Sequence, residues 1–323
     1  MESLFQNQRF AAAYERLAAV GLNPRRHTAA DARAHSDAVA ALAARLGAAN
    51  GCTADEIVLL TNLGHAHDVG KSTGSARPAK SLDVLAECGV TDPGLLALVK
   101  WHDTNLPWHH AAERGEPPTD KAWRKLASAV DVRLLCLFMV ADRVDAPGGW
   151  RRNAPATWFI AQARARGLVG ELVLDLDDHP SERCAGAALV RRDGGLAEVL
   201  VIKVRSAGFE LPKGGIEWDE LPSEAAVREL GEEAGIDGAG LEVGPVLGHL
   251  DYVVGSGTDR HTKRVLYHRV TWSGEAALAE RPARTNERRW LLAADIDRVP
   301  LVSEALRPLL HAALAGEPRD RDG

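Results

Sequence analysis

Glu229, Glu232 and Glu233 place three carboxylates at positions i, i+3 and i+4. On an α-helix these positions share one face. Three carboxylates side by side repel one another and weaken the helix. Hard cations between them offset that cost: Mg²⁺ and Mn²⁺ take oxygen ligands, and Mg²⁺ typically bridges to the phosphates of a substrate. The bland alternative is a solvated acidic face with an Arg228–Glu232 pair at i, i+4. It accounts for neither Gly214 and Gly215 nor the loop that leads into the helix.

A second constellation lies in the first half of the chain. His35 continues an apolar stripe with Val39, Leu42 and Leu46, at spacings of four, three and four. His67 follows Leu60 and Gly64 in the same way, with Asp68 beside it, and Asp142 follows Leu135 and Met139. Three helices thus turn an ionisable group inward. An unpaired buried carboxylate is very costly, and two histidines with two aspartates are a metal-ligand set. Periodicity alone leaves this level with histidines merely satisfied in a core.

The elements that must position these groups change character near residue 170. Helical periodicity runs over 28–48, 54–70, 92–102, 120–146 and 155–167. Strands follow at 187–190 and 199–202 around the turn 193–195, then near 241–254, 263–272 and 287–292, with helices at 222–234 and 302–315. The segment 171–182 is polar and proline-punctuated and reads as a linker. The chain is therefore expected to hold a helical domain over 1–170, a strand-rich domain over 183–318 and a charged tail over 319–323.

Of the 323 residues, 46% are hydrophobic and 26% charged, ordinary for a globular protein. Residues 1–170 carry 20 basic and 17 acidic side chains; the remainder carries 19 and 28, giving −6 overall. That balance disfavours nucleic acid as the main partner. No apolar run reaches about 18 residues and no signal peptide is visible, so no membrane span is expected. Cys52, Cys88, Cys136 and Cys184 are scattered. They read as reduced thiols, and the expectation is a cytoplasmic protein.

Gly214, Glu220, Arg228, Glu229, Leu230, Glu232, Glu233, Gly235 and Ile236 fill every fixed position of a pattern that resembles the Nudix box. Nudix hydrolases cut nucleoside diphosphates linked to another group. The resemblance implies an α/β/α fold, a mixed sheet between helices. It also implies Mg²⁺ or Mn²⁺ held by Gly214, Glu229, Glu232 and Glu233. One of Glu232, Glu233 or Glu287 would take the proton of the attacking water. Lys213 would sit near anionic oxygens, Arg228 would orient a carboxylate, and Glu220 suits a supporting role better than Glu217. The lead-in Leu211-Pro212-Lys213-Gly214-Gly215 is similar to enzymes acting on dinucleoside polyphosphates. There, a tyrosine at about the distance of Tyr252 can stack on the base; packing on the sheet is the competing reading for Tyr252. Asn286 to Trp290 resembles a late strand of that fold.

Arg33-Ala34-His35-Ser36, Gly64-His65-Ala66-His67-Asp68-Val69-Gly70-Lys71 and Ala141-Asp142-Arg143-Val144-Asp145 resemble, in order and spacing, the HD-domain phosphohydrolases. Those are all-α helical bundles. The resemblance implies His35, His67, Asp68 and Asp142 as ligands of a divalent transition metal such as Mn²⁺, Co²⁺, Ni²⁺ or Fe²⁺. Asp68 or His102 would assist proton transfer and Lys71 would contact a phosphate. His65, two residues before His67, faces away on a helix and reads as structural. His109 and His110 fall in an expected loop.

The chain is thus expected to be a multidomain phosphohydrolase. A nucleotide or polyphosphate would lose a phosphoanhydride at the Nudix site and a phosphomonoester or phosphodiester at the HD site. Two alternatives stand beside it. One is processing of RNA ends. The other is a Nudix hydrolase governed by an HD domain that binds a nucleotide without turning it over.

Overall fold

The computed structural model describes residues 2–193, 195–203, 208–236, 240–273, 282, 285 and 287–315. The expected tail 319–323 and Asn286 lie outside them. The chain divides into two units, Met1–Ser181 and Glu182–Gly323.

The first unit is helical: Gln8–Glu15 (α1), Ala32–Ala49 (α2), Ala54–Ala66 (α3), Pro78–Glu87 (α4), Pro93–Trp101 (α5), Asn105–Glu113 (α6), Asp120–Ala129 (α7), Val132–Ala141 (α8) and Ala154–Ala165 (α9). Local chemistry sets most of the starts. Asp31 caps α2 by accepting from Ala34 N at 2.8 Å. Thr53 and Glu56 form a reciprocal capping box on α3. Asp92 and Asn153 cap α5 and α9, each followed by a proline in the first turn.

The helix expected over 120–146 is two helices, because Val130 is extended (φ −141°, ψ 153°) and Asp131 caps a new start by accepting from Arg133 N and Leu134 N. The helix expected to run to residue 70 ends at Ala66. His67 keeps helical angles, whereas Asp68 turns off at φ −111°, ψ 13°, and a short 3₁₀ turn follows. His109 and His110 lie within α6 rather than in a loop. The apolar stripes of α1, α4 and α6 are too short to stand out in the sequence. The segment expected as a linker is bonded to the helical unit: Asn50 exchanges side-chain hydrogen bonds of 2.8 Å with Val173, and Arg151 grips Asp175 at 2.7 Å.

The second unit is built from Glu182–Asp193 (β1), Leu196–Lys203 (β2), Lys213–Gly215 (β3), Pro222–Glu229 (α10), Leu241–Val254 (β4), His261–Trp272 (β5), Glu287–Leu291 (β6), Ala293–Ile296 (α11) and Arg307–Ala315 (α12). The six-stranded sheet has the order β4-β5-β1-β2-β6, with β3 paired to β1 off this path. β1 and β5 are parallel and the other pairs antiparallel, so the sheet is mixed.

Alternation along the strands sends side chains to two cores. Ala185, Ala187, Leu189, Leu200 and Ile202 meet Ala225, Ala226 and Leu230 on one face. Cys184, Ala188, Val190, Val199 and Val201 meet Leu306, Leu309 and Leu310 on the other. The layers are helix, sheet, helix, as expected. The helix expected over 222–234 is α-helical only to Glu229. Leu230–Ala234 is π-helical, and Gly235 in the left-handed region (φ 66°) stops it. Among the described residues, no helix is long and apolar enough to cross a membrane.

The crossing of α2 and α3 rests on one missing side chain. A Cβ on Gly64 would lie 2.4 Å from Ala40 Cα and 2.6 Å from Ala40 N. In an exposed helix, Gly→Ala stabilises by about 1 kcal/mol. Here overpacking prevails. Gly64→Ala is expected to destabilise the protein by about 1–3 kcal/mol in urea unfolding; a variant as stable as the parent would show that the crossing has slack.

Candidate functional site

In the helical unit, three elements deliver four groups to one point. His35 comes from the first turn of α2, His67 and Asp68 from the two residues after α3, and Asp142 from the residue after α8. His67 and Asp68 are adjacent, and consecutive residues of a continuing helix would diverge by about 100°. Because α3 ends there, Asp68 folds back and its Oδ2 lies 3.3 Å from His67 Nε2. Ser81 of α4 secures the turn: its hydroxyl donates to His67 O at 2.6 Å and accepts from Gly70 N at 3.1 Å.

Asp142 Oδ1 lies 3.3 Å from His35 Nε2 and 3.2 Å from His67 Nε2. All four residues are buried. Yet both Nε2 atoms lack an aligned hydrogen-bond partner. The ring Nδ1 atoms are committed elsewhere. His67 Nδ1 donates to Gly64 O at 2.8 Å, and His35 Nδ1 is 3.0 Å from Asp145 Oδ1. This arrangement leaves the Nε2 lone pairs directed at a shared point, the usual state of a metal-ligating histidine. Donor atoms about 2.1 Å from one ion stand about 3.0–3.4 Å apart in octahedral or tetrahedral geometry. The separations of 3.2 and 3.3 Å fall in that range, and His35 Nε2 to Asp68 Oδ2, at 4.0 Å, approaches the roughly 4.2 Å between opposite ligands of an octahedron, so the residues fit a divalent metal.

Charge argues the same way. Burial alone would lower the His67 pKa, but the Asp68 and Asp142 carboxylates prevail and push it up to about 10. His35 is raised for a like reason, by Asp142 and Asp145 against burial. Asp142 is held well below the ordinary carboxylate range: burial opposes ionisation, and Arg143 with the two imidazoles outweighs it. The site therefore calls for positive charge at the point where the imidazoles and carboxylates meet, which a proton or a metal ion can supply.

Lys71 Nζ lies 2.6 Å from Asp68 Oδ2, and Arg143 lies 2.8 Å from Asp142 Oδ2. His102, after α5, donates from Nδ1 to Val99 O at 2.7 Å, and its ring centre is 5.4 Å from that of His67. Burial and the His67 charge lower its pKa. His65 packs edge-on against Phe5 and Tyr14, away from this cluster. Sequence reasoning passed over Asp145 and His27. Asp145 receives His27 Nδ1 at 3.3 Å as well as His35. Asp145 closes the run Ala141-Asp142-Arg143-Val144-Asp145, three residues past Asp142. Nothing in the spacing points to His27, which a loop brings in.

In the sheet unit, Arg228 organises the glutamates. It donates to both oxygens of Glu220 at 2.8 and 3.0 Å, to Gly215 O at 2.7 Å, to Glu229 Oε1 at 2.7 Å and to Glu232 Oε1 at 3.2 Å. The hydrogen bonds to Glu220, then those to Glu229 and Glu232, raise its pKa against partial burial. Glu229 is buried, and its carboxylate lies against Gly214: a Cβ there would fall 1.9 Å from Oε1. Glu233 Oε2 accepts from the backbone N of Lys213 at 2.8 Å. The box helix and the glycine turn are thus joined through carboxylates, a donor set suited to Mg²⁺ or Mn²⁺.

The π-helical turn carries Glu232 and Glu233, so the three glutamates do not share one regular α-helical face. Arg288 donates to Ala234 O at 2.6 Å where the α-helical ladder is lost. Lys213 Nζ is paired with Glu210. Glu220 also accepts from Glu217 N at 2.9 Å. Tyr252 packs against the core beneath α12, its hydroxyl 3.4 Å from that of Tyr267. Glu287 lies on β6 opposite Lys203 and bonds Arg289 at 2.7 Å.

A family model described as NUDIX domain matches residues 180–312. An RNA pyrophosphohydrolase of Sphingopyxis alaskensis is 38% identical over 71 residues, 22% of this chain and 45% of its own length. Another, of Gluconacetobacter diazotrophicus, is 38% identical over 100 residues, 31% of this chain and 44% of its own. The chain thus spans less than half the length of these curated relatives. A solved Ap4A hydrolase binary complex of C. elegans aligns with 41% of this chain and 95% of its own at 19% identity, with a TM-score of 0.32. Residues 180–312 form a Nudix domain.

The contact between Gly214 and Glu229 yields a test. Gly214→Ala must displace the Glu229 carboxylate. The Mg²⁺ concentration for half-maximal hydrolysis of a phosphoanhydride is expected to rise about tenfold or more, the scale seen when a metal ligand loses its support. An unchanged Mg²⁺ requirement would remove Glu229 from the metal site.

Proposed function

We propose that this protein is a metal-dependent phosphohydrolase with two separate centres. At the Nudix centre, the substrate is a nucleoside diphosphate-linked phosphoanhydride of the dinucleoside polyphosphate kind. The observation that carries this reading is the complete box, with Glu229 seated against Gly214 and Arg228 spanning Glu220, Glu229 and Glu232. Gly214, Glu229, Glu232 and Glu233 would hold Mg²⁺ or Mn²⁺. Such ions neutralise phosphate charge and lower the pKa of a bound water.

Arg228 orients the Glu229 carboxylate, and the backbone N–H of Lys213 does the same for Glu233. Of Glu232, Glu233 and Glu287, Glu232 is the favoured acceptor of the water's proton, because it is the most solvent-accessible of the box glutamates bonded to Arg228. Glu287, on the edge strand β6 and bonded to Arg289, suits that role less well. The Lys213 ammonium and Tyr252 are candidates for contact with the phosphates and the base.

A second substrate reading is the 5′ end of an RNA. The 38% identity to proteins described as RNA pyrophosphohydrolases favours it. The acidic balance of the chain weighs against a long nucleic-acid contact.

The helical unit is read as an HD-type centre whose His35, His67, Asp68 and Asp142 would hold a transition metal such as Mn²⁺, Co²⁺, Ni²⁺ or Fe²⁺. Imidazole nitrogens beside carboxylates suit those ions. Its substrate would be a phosphomonoester or phosphodiester, with Lys71 releasing Asp68 to meet a phosphate and Asp68 or His102 moving a proton. The orphaned Nε2 atoms of His35 and His67 favour bound metal. A regulatory unit that binds a nucleotide without turnover would share the fold and differ in showing no turnover.

Two experiments test these readings. Turnover is measured on a dinucleoside polyphosphate and a 5′-triphosphate RNA with Mg²⁺ and Mn²⁺. Glu233→Gln is expected to lose about 10²-fold or more on the better substrate, the scale of losing a charge partner of the transition state. Near-parental turnover on both would sink the assignment. His67→Ala and Asp142→Ala are each expected to lose about one equivalent of tightly bound transition metal by elemental analysis. Parental stoichiometry in both would rule out the four-ligand site.

A further inference from the structure

We propose that Asp145, through its bond to His35, is the positioning residue of the metal centre in the helical unit; the inference rests on the metal reading above. His35 Nδ1 lies 3.0 Å from Asp145 Oδ1, and both side chains are buried. With Nδ1–H given to the carboxylate, Nε2 carries the lone pair. The ring is held so that Nε2 faces Asp142 at 3.3 Å.

The other two histidines of the cluster donate Nδ1–H to main-chain carbonyls, Gly64 O for His67 and Val99 O for His102. His35 alone of these three has a carboxylate behind it. An ionised acceptor makes the stronger hydrogen bond and the more basic ligand nitrogen.

Asp145 is itself over-determined. Its carboxylate takes His27 Nδ1 and Ala29 N at 3.3 Å, and its carbonyl takes Thr28 N at 2.8 Å and Thr28 Oγ1 at 3.1 Å. The loop 27–29 ahead of α2 and the turn after α8 therefore close on one carboxylate, which fixes the ring it holds. A purely structural role would confine Asp145 to anchoring that loop. His27 separates the two roles, since it bonds Asp145 without belonging to the Nε2 cluster.

The test uses the full chain, stripped with chelator and titrated with Co²⁺ by calorimetry. Parental protein that takes up no Co²⁺ at this centre, judged against His67→Ala, overturns the metal reading itself. If parental protein binds, Asp145→Asn is expected to weaken Co²⁺ about 10- to 100-fold, the effect of losing a partner behind a ligand. His27→Ala is expected to stay within about threefold. Equal affinity for Asp145→Asn and parent overturns the positioning role alone. Equal weakening by His27→Ala also overturns it, in favour of loop anchoring.

A second measurement holds if Asp145→Asn fails to fold. NMR of the Co²⁺-loaded parent should show a shifted, slowly exchanging imidazole N–H that is absent in His35→Gln. Rapid exchange of that proton overturns the proposal.

Discussion

A carboxylate taken out of water must be met by positive charge, and both units are arranged around that requirement. An unpaired buried charge costs several kcal/mol or more even after the surroundings relax. In the helical unit, Asp68, Asp142 and Asp145 are all buried, facing Lys71, Arg143 and the rings of His27, His35 and His67. In the sheet unit, Glu229 is buried and Arg228 answers it while also holding Glu220 and Glu232. The helix ends, the π-helical turn and the glycine contacts follow as means of bringing these charges within reach of their partners.

Close backbone approach is the second shared constraint. Gly64 lets α3 settle against Ala40 of α2, which brings His67 toward His35 across the crossing. Gly70 packs against Lys80 and Ser81 and so keeps the turn after Asp68 tight. Gly214 leaves room for the Glu229 carboxylate. In each case a methyl group would occupy space that a backbone atom or a carboxylate already fills. Stability and site geometry are therefore set by the same contacts.

The sequence pattern reveals part of this and conceals the rest for physical reasons. His35 and Asp142 sit in apolar stripes, and a stripe shows which way a side chain faces. His67 is legible in the same way. Asp68 is not, because its direction depends on where α3 stops. The break at Val130 is hidden since Asp131 can cap a helix or ride on one, and the apolar stripe continues past it. The glutamates of the box are legible by spacing, but the π-helical turn changes how Glu232 and Glu233 are presented. The donor to Glu233 is a backbone N–H, which every residue except proline owns, so no residue type announces it. His27 and Asp145 meet through loops, where no periodicity operates.

The two donor sets also differ in what they can select. Carboxylates joined to a glycine turn offer oxygen alone, and Mg²⁺, which sheds water reluctantly, accepts such a shell with waters remaining. Two imidazole nitrogens among carboxylates offer a stronger field, and affinity there rises along the transition series. The helical centre would hold a scarce transition ion against abundant Mg²⁺, whereas the box would fill from the abundant ion. On the proposed reading, loading of the helical centre follows the supply of a transition metal. Loading of the Nudix centre follows Mg²⁺, and starvation for the scarce metal would silence the first while sparing the second.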